Sequence, residues 1–150
     1  MDAENQPAAA ASGPISYAIV RLVRIHRILA GRLLREVGLH TGQELLMMRL
    51  WESGPQRQAD LAAEFGTDSA SMTRTVQRLE RAGYVRRVPD PDDRRATRVE
   101  PTPASLALRA QVEEIWTRLE QLTAGDLTPA QRTAALRTLR RLEDNLLAGE

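Results

Sequence analysis

The stretch that decides the fold is "LAAEFGTDSASMTRTVQRLERAGYVRRVPDPDDRRATRV", residues 61–99. It reads as the end of a short helix, a turn, a longer helix and two strand-like runs about a charged loop. "GTD" at 66–68 is a turn, and Asp68 is a good N-cap for a helix from Ser69 to Ala82. Met72, Val76 and Leu79 step by four and three, so they share the inward face of that helix. Gly83 closes it. "YVRRV" at 84–88 and "ATRVEPT" at 96–102 are strand-like runs, and "PDPDDRR" joins them.

Before this stretch stand a short helix from Gln58, with Leu61, Ala62 and Phe65 inward, and a helix over Thr41–Ser53. Thr41 followed by Glu44 has capping-box spacing, and Leu45, Leu46, Met48, Leu50 and Trp51 are its apolar surface. Ile15 to Val37 reads as a long helix, apolar on more than one face, with Gly38 as its C-cap. After the stretch, Ser105–Ala124 carries a heptad-like seam of Leu108, Val112, Ile115, Leu119 and Leu122. Thr128, Pro129 and Gln131 open a last helix, with Ala135, Leu139, Leu142 and Leu146 in its seam. The fold class is therefore mainly α with a small β-wing. Residues 38–103 form a winged helix-turn-helix. Residues 15–37 and 104–148 form flanking helices, and 1–14 are expected to be a disordered tail.

The second helix of a helix-turn-helix enters the major groove. Here its outward arc holds Ala70, Ser71, Arg74, Gln77, Arg78 and Arg81, types that pair with base edges or hold phosphates. A solvated helix face can carry the same residues, but this one follows a short helix and precedes a charged hairpin. In the wing, Asp93 stands two residues before Arg95. A carboxylate there can orient a guanidinium, and a narrow minor groove attracts an inserted arginine.

These residues resemble the winged-helix core of the MarR family of bacterial transcriptional regulators. The resemblance rests on Leu61, Ala62, Ser69, Met72, Thr73, Arg74, Val76, Leu79, Glu80, Gly83, Val85 and Arg87, then Asp93 and Arg95. It implies a homodimeric regulator, most often a repressor, that binds a pseudo-palindrome of double-stranded DNA. The implied DNA-facing set is Ser69, Ala70, Ser71, Thr73, Arg74, Gln77 and Arg78 on the helix, with Asp93, Arg94 and Arg95 in the wing. It also implies release by a small, often anionic aromatic effector, for which His26, His40, Gln43 and Met47 are candidate liners. The family leaves the wing with V-x-L-T-x-x-G. Here the stretch is "VEPTPAS", so Pro101 and Ser105 depart from it, and the second wing strand should end near Glu100.

Overall charge does not by itself announce a nucleic-acid binder; its distribution says more. All 21 basic residues are arginine, and net charge is +1. From Ser69 to Arg98 there are eight arginines against four acids, a locally basic window. No cysteine is present, which removes disulfides and thiolate metal sites. Two histidines make a poor metal set, so neither metal nor cofactor is expected. No nucleophile motif, phosphate-cradling loop or carboxylate pair suggests an enzyme. No signal peptide is read at the N-terminus and no apolar run is long enough to span a bilayer, so a cytoplasmic protein is expected. The competing reading is a winged-helix protein-interaction module that has given up specific DNA binding.

Overall fold

The computed structural model describes residues 6–150. A short 3₁₀ helix, Ala8–Ser12, precedes α1 (Pro14–Arg35), α2 (Gln43–Ser53), β1 (Gln56–Arg57), α3 (Gln58–Glu64), α4 (Ser69–Arg81), β2 (Val85–Pro89), β3 (Thr97–Pro101), α5 (Ser105–Ala124) and α6 (Pro129–Ala148). Of the expected disordered tail, residues 1–5 lie outside the described residues, and 8–12 hold the 3₁₀ turn. The three strands form one antiparallel sheet, ordered β1-β3-β2. The chain divides into two compact units, Met1–Ile115 and Trp116–Glu150. That boundary lies within α5, whereas the sequence suggested a division near residue 103.

In the first unit, local signals set the element ends. Gly38, at φ 75°, lets Leu39 N–H reach the Leu34 carbonyl at 3.0 Å and its own N–H reach that of Arg35 at 3.1 Å. This pair of bonds is a Schellman closure of α1. Thr41 does not cap α2, as its spacing to Glu44 suggested. Gly42 takes that place at φ 97°, and Glu44 Oε2 accepts its N–H at 2.8 Å. The Thr41 hydroxyl instead lies against Gly31 of α1, only 3.0 Å from where a Cβ would stand. An alanine at 31 would require the Thr41 hydroxyl to give way by a few tenths of an ångström.

The core of this unit holds Leu33, Leu34, Leu46, Met47, Leu50, Leu61, Met72, Val76, Leu79, Val85, Val99, Leu108 and Val112. Burying Met72, Val76 and Leu79 stabilises α4 by roughly 1.5–3 kcal/mol each. The rotation of α2 differs from the sequence reading. Met47 is fully buried, while Leu45 and Met48, expected inside, are exposed, as is Phe65 at the end of α3. The turn of the helix-turn-helix runs from α3 to α4 through Gly66 and Thr67. Thr67 N–H bonds the Ala62 carbonyl at 3.0 Å.

β3 keeps Pro101 as its last residue, paired with Val85. One residue on, Thr102 N–H still bonds the Tyr84 carbonyl at 3.0 Å. Pro101 therefore does not end the pairing at Glu100, because the donor that it lacks is not the one the ladder needs there. Ser105, where the family pattern has glycine, is fully buried. Its hydroxyl donates to the Thr102 carbonyl at 2.7 Å and accepts Trp51 Nε1–H at 2.9 Å.

In the second unit, Thr128 and Gln131 form the expected capping box. Thr128 N–H bonds Gln131 Oε1 at 2.8 Å, and Gln131 N–H bonds Thr128 Oγ1 at 3.2 Å. α6 has no buried residue. Leu136, Leu139, Leu146 and Leu147 are all exposed.

Candidate nucleic-acid interface

α4 begins on its cap. Asp68 Oδ1 accepts Ser71 N–H at 2.7 Å and Oδ2 accepts the Ser71 hydroxyl at 2.9 Å. These bonds, with Arg74 nearby, hold the Asp68 carboxyl below its ordinary range. A bond from Arg74 Nη2 to Ser71 Oγ at 3.0 Å lays the guanidinium along the first turn. Thr73 is committed inward. Its hydroxyl donates to the Ser69 carbonyl at 2.8 Å and accepts Gln58 Nε2–H at 2.9 Å, tying α4 to α3. Of the helix residues singled out from sequence, Ser69, Ala70, Arg74 and Arg78 are exposed. Ser71, Thr73 and Gln77 are half-buried.

The other end of α4 is locked to the sheet. Glu80 accepts Arg87 N–H at 3.1 Å and Arg87 Nη2–H at 3.1 Å, and this partner lowers its pKa. Arg86 pairs with Glu100 at 3.3 Å across β2 and β3, and Arg49 pairs with Glu64 at 3.1 Å.

In the wing, the tip residues Asp93, Arg94 and Arg95 are exposed. Arg95 Nε stands 3.9 Å from Asp93 Oδ1, and its side chain is 97% exposed. That separation is beyond a hydrogen bond, so Asp93 does not fix the guanidinium as the spacing suggested. It fixes the backbone instead, accepting Arg95 N–H at 3.0 Å.

The acid that organises the loop is Asp90, which sequence reading passed over. Its side chain is only 4% exposed. It accepts Arg57 Nε–H at 2.8 Å and Nη2–H at 3.3 Å, then Asp92 N–H at 2.8 Å and Asp93 N–H at 3.1 Å. The Arg57 guanidinium leads the causes that lower the Asp90 pKa, and Asp90 in turn raises that of Arg57. No non-glycine residue in the described chain has positive φ. A side chain that caps two successive N–H groups turns this loop without a glycine. The only local hint was an aspartate ahead of two further turn residues. The partner lies 33 residues away, and no spacing rule finds it.

A cleft of about 220 Å³ joins the parts, lined by Arg57, Gln58, Ala59, Ala62, Ser69, Met72, Arg95, Ala96 and Thr97. The start of α4 and the wing therefore flank one hollow.

The four candidate effector liners are not gathered in this way. Gln43 is buried, its Oε1 accepting His40 N–H at 2.9 Å, and Met47 is core. His40 is exposed and His26 half-buried. A separate groove of about 700 Å³ runs along α1, and none of the four lines it. Its walls combine Ile19, Val23 and Ile28 with Arg24, Arg27 and Arg35.

Residues 39–97 match the MarR family. The HTH-type transcriptional repressor NicR of Pseudomonas putida is 32% identical over 103 residues, 69% of this chain, and the chain spans 65% of that relative's length. A crystal structure of MarR superposes with a TM-score of 0.82 at 26% identity, covering 99% of this chain and 95% of that one. A mutant MarR of E. coli, complexed with operator DNA, gives 0.81 at 20% identity, covering 91% and 99%. BpsR of Bordetella bronchiseptica, whose DNA binding is regulated by 6-hydroxynicotinic acid, gives 0.77 at 23%, covering 96% and 97%. At those last two identities the likeness is one of fold.

Proposed function

The chain belongs to the MarR family, and from that premise we propose a sequence-specific, double-stranded DNA-binding transcriptional regulator. It acts as a repressor and as a homodimer on a pseudo-palindromic operator, in the bacterial cytoplasm. No helix of the described chain is long and apolar enough to cross a membrane.

The division among the arginines carries this reading. Arg49, Arg57, Arg86 and Arg87 are each paired with a carboxylate. Arg74, Arg78 and Arg94 are in no salt bridge among the described residues, and Arg95 meets its acid only at 3.9 Å. These paired arginines brace the winged fold, while Arg74 and Arg78 stand on the outer face of α4 and Arg94 and Arg95 at the wing tip. Cations left free on a groove-sized helix and an adjacent hairpin suit phosphates and base edges. On this reading Arg74 and Arg78, with Gln77, meet the major groove. Ser69, Ala70 and Ser71 meet the backbone at its edge, and Arg94 and Arg95 reach the neighbouring minor groove. Thr73 and Asp93 support them by holding α4 on α3 and the wing backbone in its turn.

The exposed seam of α6 and the apolar half of α1 support the dimer, with residues 15–37 and 104–148 supplying the interface and 38–103 reading DNA. A two-fold pair would place half-sites about 10 bp apart. Release by a small anionic aromatic effector is part of the proposal. It is supported by BpsR, whose DNA binding responds to such a compound, and by the arginine-lined groove on α1.

Fluorescence anisotropy tests the proposal, with a duplex from the protein's own upstream region, a scrambled duplex and a series of salt concentrations. Tight, selective binding that weakens with salt is expected. Equal, feeble binding to both, together with failure to select any genomic fragment, would instead favour a protein-interaction module.

A further inference from the structure

We infer that Arg57 is a positioning residue for the wing: by gripping Asp90 it sets the turn that presents Arg95, and so governs the minor-groove preference of the protein. This rests on the DNA-reading function proposed above.

Arg57 lies on β1, a strand of two residues held by pairing with β3 at Gln56–Val99 and Arg57–Arg98. From that fixed base its guanidinium meets both oxygens of Asp90, at 2.8 and 3.3 Å. A two-point contact of this kind sets the plane of the carboxylate as well as its place. Asp90 is the first residue after β2, and its plane determines where the N–H groups of Asp92 and Asp93 must sit. The loop is then closed twice more, by Asp90 N–H on the Ala96 carbonyl and Ala96 N–H on the Asp93 carbonyl, both at 2.9 Å. Arg95 lies between these closures, as Arg94 does, and has no firm side-chain contact of its own. Its direction is inherited from the backbone, and the backbone takes its direction from Asp90.

Direct contact of Arg57 with a DNA phosphate is the competing explanation, since Arg57 and Arg95 line the same cleft. The two differ in sign for one substitution. Asp90→Asn removes a negative charge beside the DNA and keeps an oxygen for the backbone N–H groups. If charge alone mattered, it would tighten binding. If Arg57 works through Asp90, it loosens binding, because the two-point grip is lost.

The test uses the full chain and a duplex selected by the wild type from a random-sequence pool. Versions carrying A·T or G·C pairs at the wing-facing minor groove are compared by anisotropy. Wild type should favour the A·T version, whose narrow groove attracts arginine. Arg95→Ala should lose about tenfold in affinity and that preference. Arg57→Ala and Asp90→Asn should each lose the preference with unchanged recognition-helix specificity. Arg57→Ala/Arg95→Ala should be no weaker than Arg95→Ala alone. Additive losses in the double variant, tighter binding by Asp90→Asn, or an A·T preference intact in Arg57→Ala would each overturn the inference while leaving DNA reading in place. Should Arg57→Ala fold poorly, Asp90→Asn decides by itself. A wild type that selects no duplex overturns the functional reading and this inference with it.

Discussion

α4 and α6 are both amphipathic helices, of 13 and 20 residues, and their apolar faces meet opposite fates. On α4, Met72, Val76 and Leu79 are all buried by the same chain, and what remains outside is Ser69, Ala70 and three arginines. On α6 nothing is buried, and Leu136, Leu139 and Leu146 stand in solvent. Scattered surface leucines are ordinary, but a row of them at seam spacing is not. α4 has thus buried its apolar groups and left Arg74 and Arg78 without a carboxylate partner, whereas α6 has left its leucines uncovered. The first surface calls for an anion and the second for another apolar helix.

The strongest way to break this contrast is to charge the seam. Leu139→Asp/Leu146→Asp should convert the protein to monomer by sedimentation velocity while the winged unit stays folded. Operator affinity should fall by about 100-fold or more, since the second half-site is no longer tethered to the first. A wild type that is already monomeric, or a monomeric variant with full affinity, would remove the dimer from the proposal.

Next in size is the split between free and paired arginines. Arg74→Ala should cost roughly 1–3 kcal/mol of operator binding with the melting temperature unchanged. Arg86→Ala, which loses only its exposed pair with Glu100, should change binding and stability by less than about 1 kcal/mol. Equal losses of affinity in the two variants would mean that the unpaired arginines are not special.

What the sequence made legible follows from how local each signal is. The cap at Asp68, the apolar triad of α4 and the box at Thr128 act within one or two turns, and each stands where its spacing placed it. β1 was missed because two residues make no pattern; it exists through Val99 and Arg98, far along the chain. The rotation of α2 was misjudged because "LLMM" at 45–48 is apolar on every side, so periodicity cannot choose between Met47 and Met48. The seam of α6 was read correctly as apolar, yet spacing says nothing about which chain covers it. The Arg57–Asp90 pair was out of reach for the same reason as β1: the fold brings its members together, and neither is unusual alone.

The cap of α4 tests whether the recognition helix is held by its own unit. Asp68→Ala should lower stability at neutral pH, because the first turn of α4 loses its cap. The Asp68 carboxyl titrates below its ordinary value of 3.8 in the folded state. Its contribution is therefore present above that value and is lost as pH falls through the lower, folded one. Wild type and variant should converge in strong acid. Urea melts across that range check this, and a gap that persists in acid would assign the effect to something other than the ionised cap.

Glu44 gives the smallest effect and the opposite sign. It is buried at the first turn of α2, and burial raises its carboxyl above the ordinary 4.5 despite the N–H bonds that it accepts. The folded state then binds the proton more tightly than the unfolded one, so stability falls as pH rises from the ordinary value through the raised one. Glu44→Gln keeps an oxygen for the Gly42 N–H and removes the desolvated charge. The variant should match wild type below the ordinary value and exceed it at neutral pH, by less than about 1 kcal/mol because a helix N-terminus favours an anion there. A variant less stable than wild type at neutral pH, with the difference closing on acidification, would mean that the charge stabilises the fold. The measurement also returns to the contrast between the helices. Glu44 belongs to the unit that buries its own core, so the gap should not depend on protein concentration. The stability contributed by the α6 seam should, because a surface covered by a second chain follows mass action.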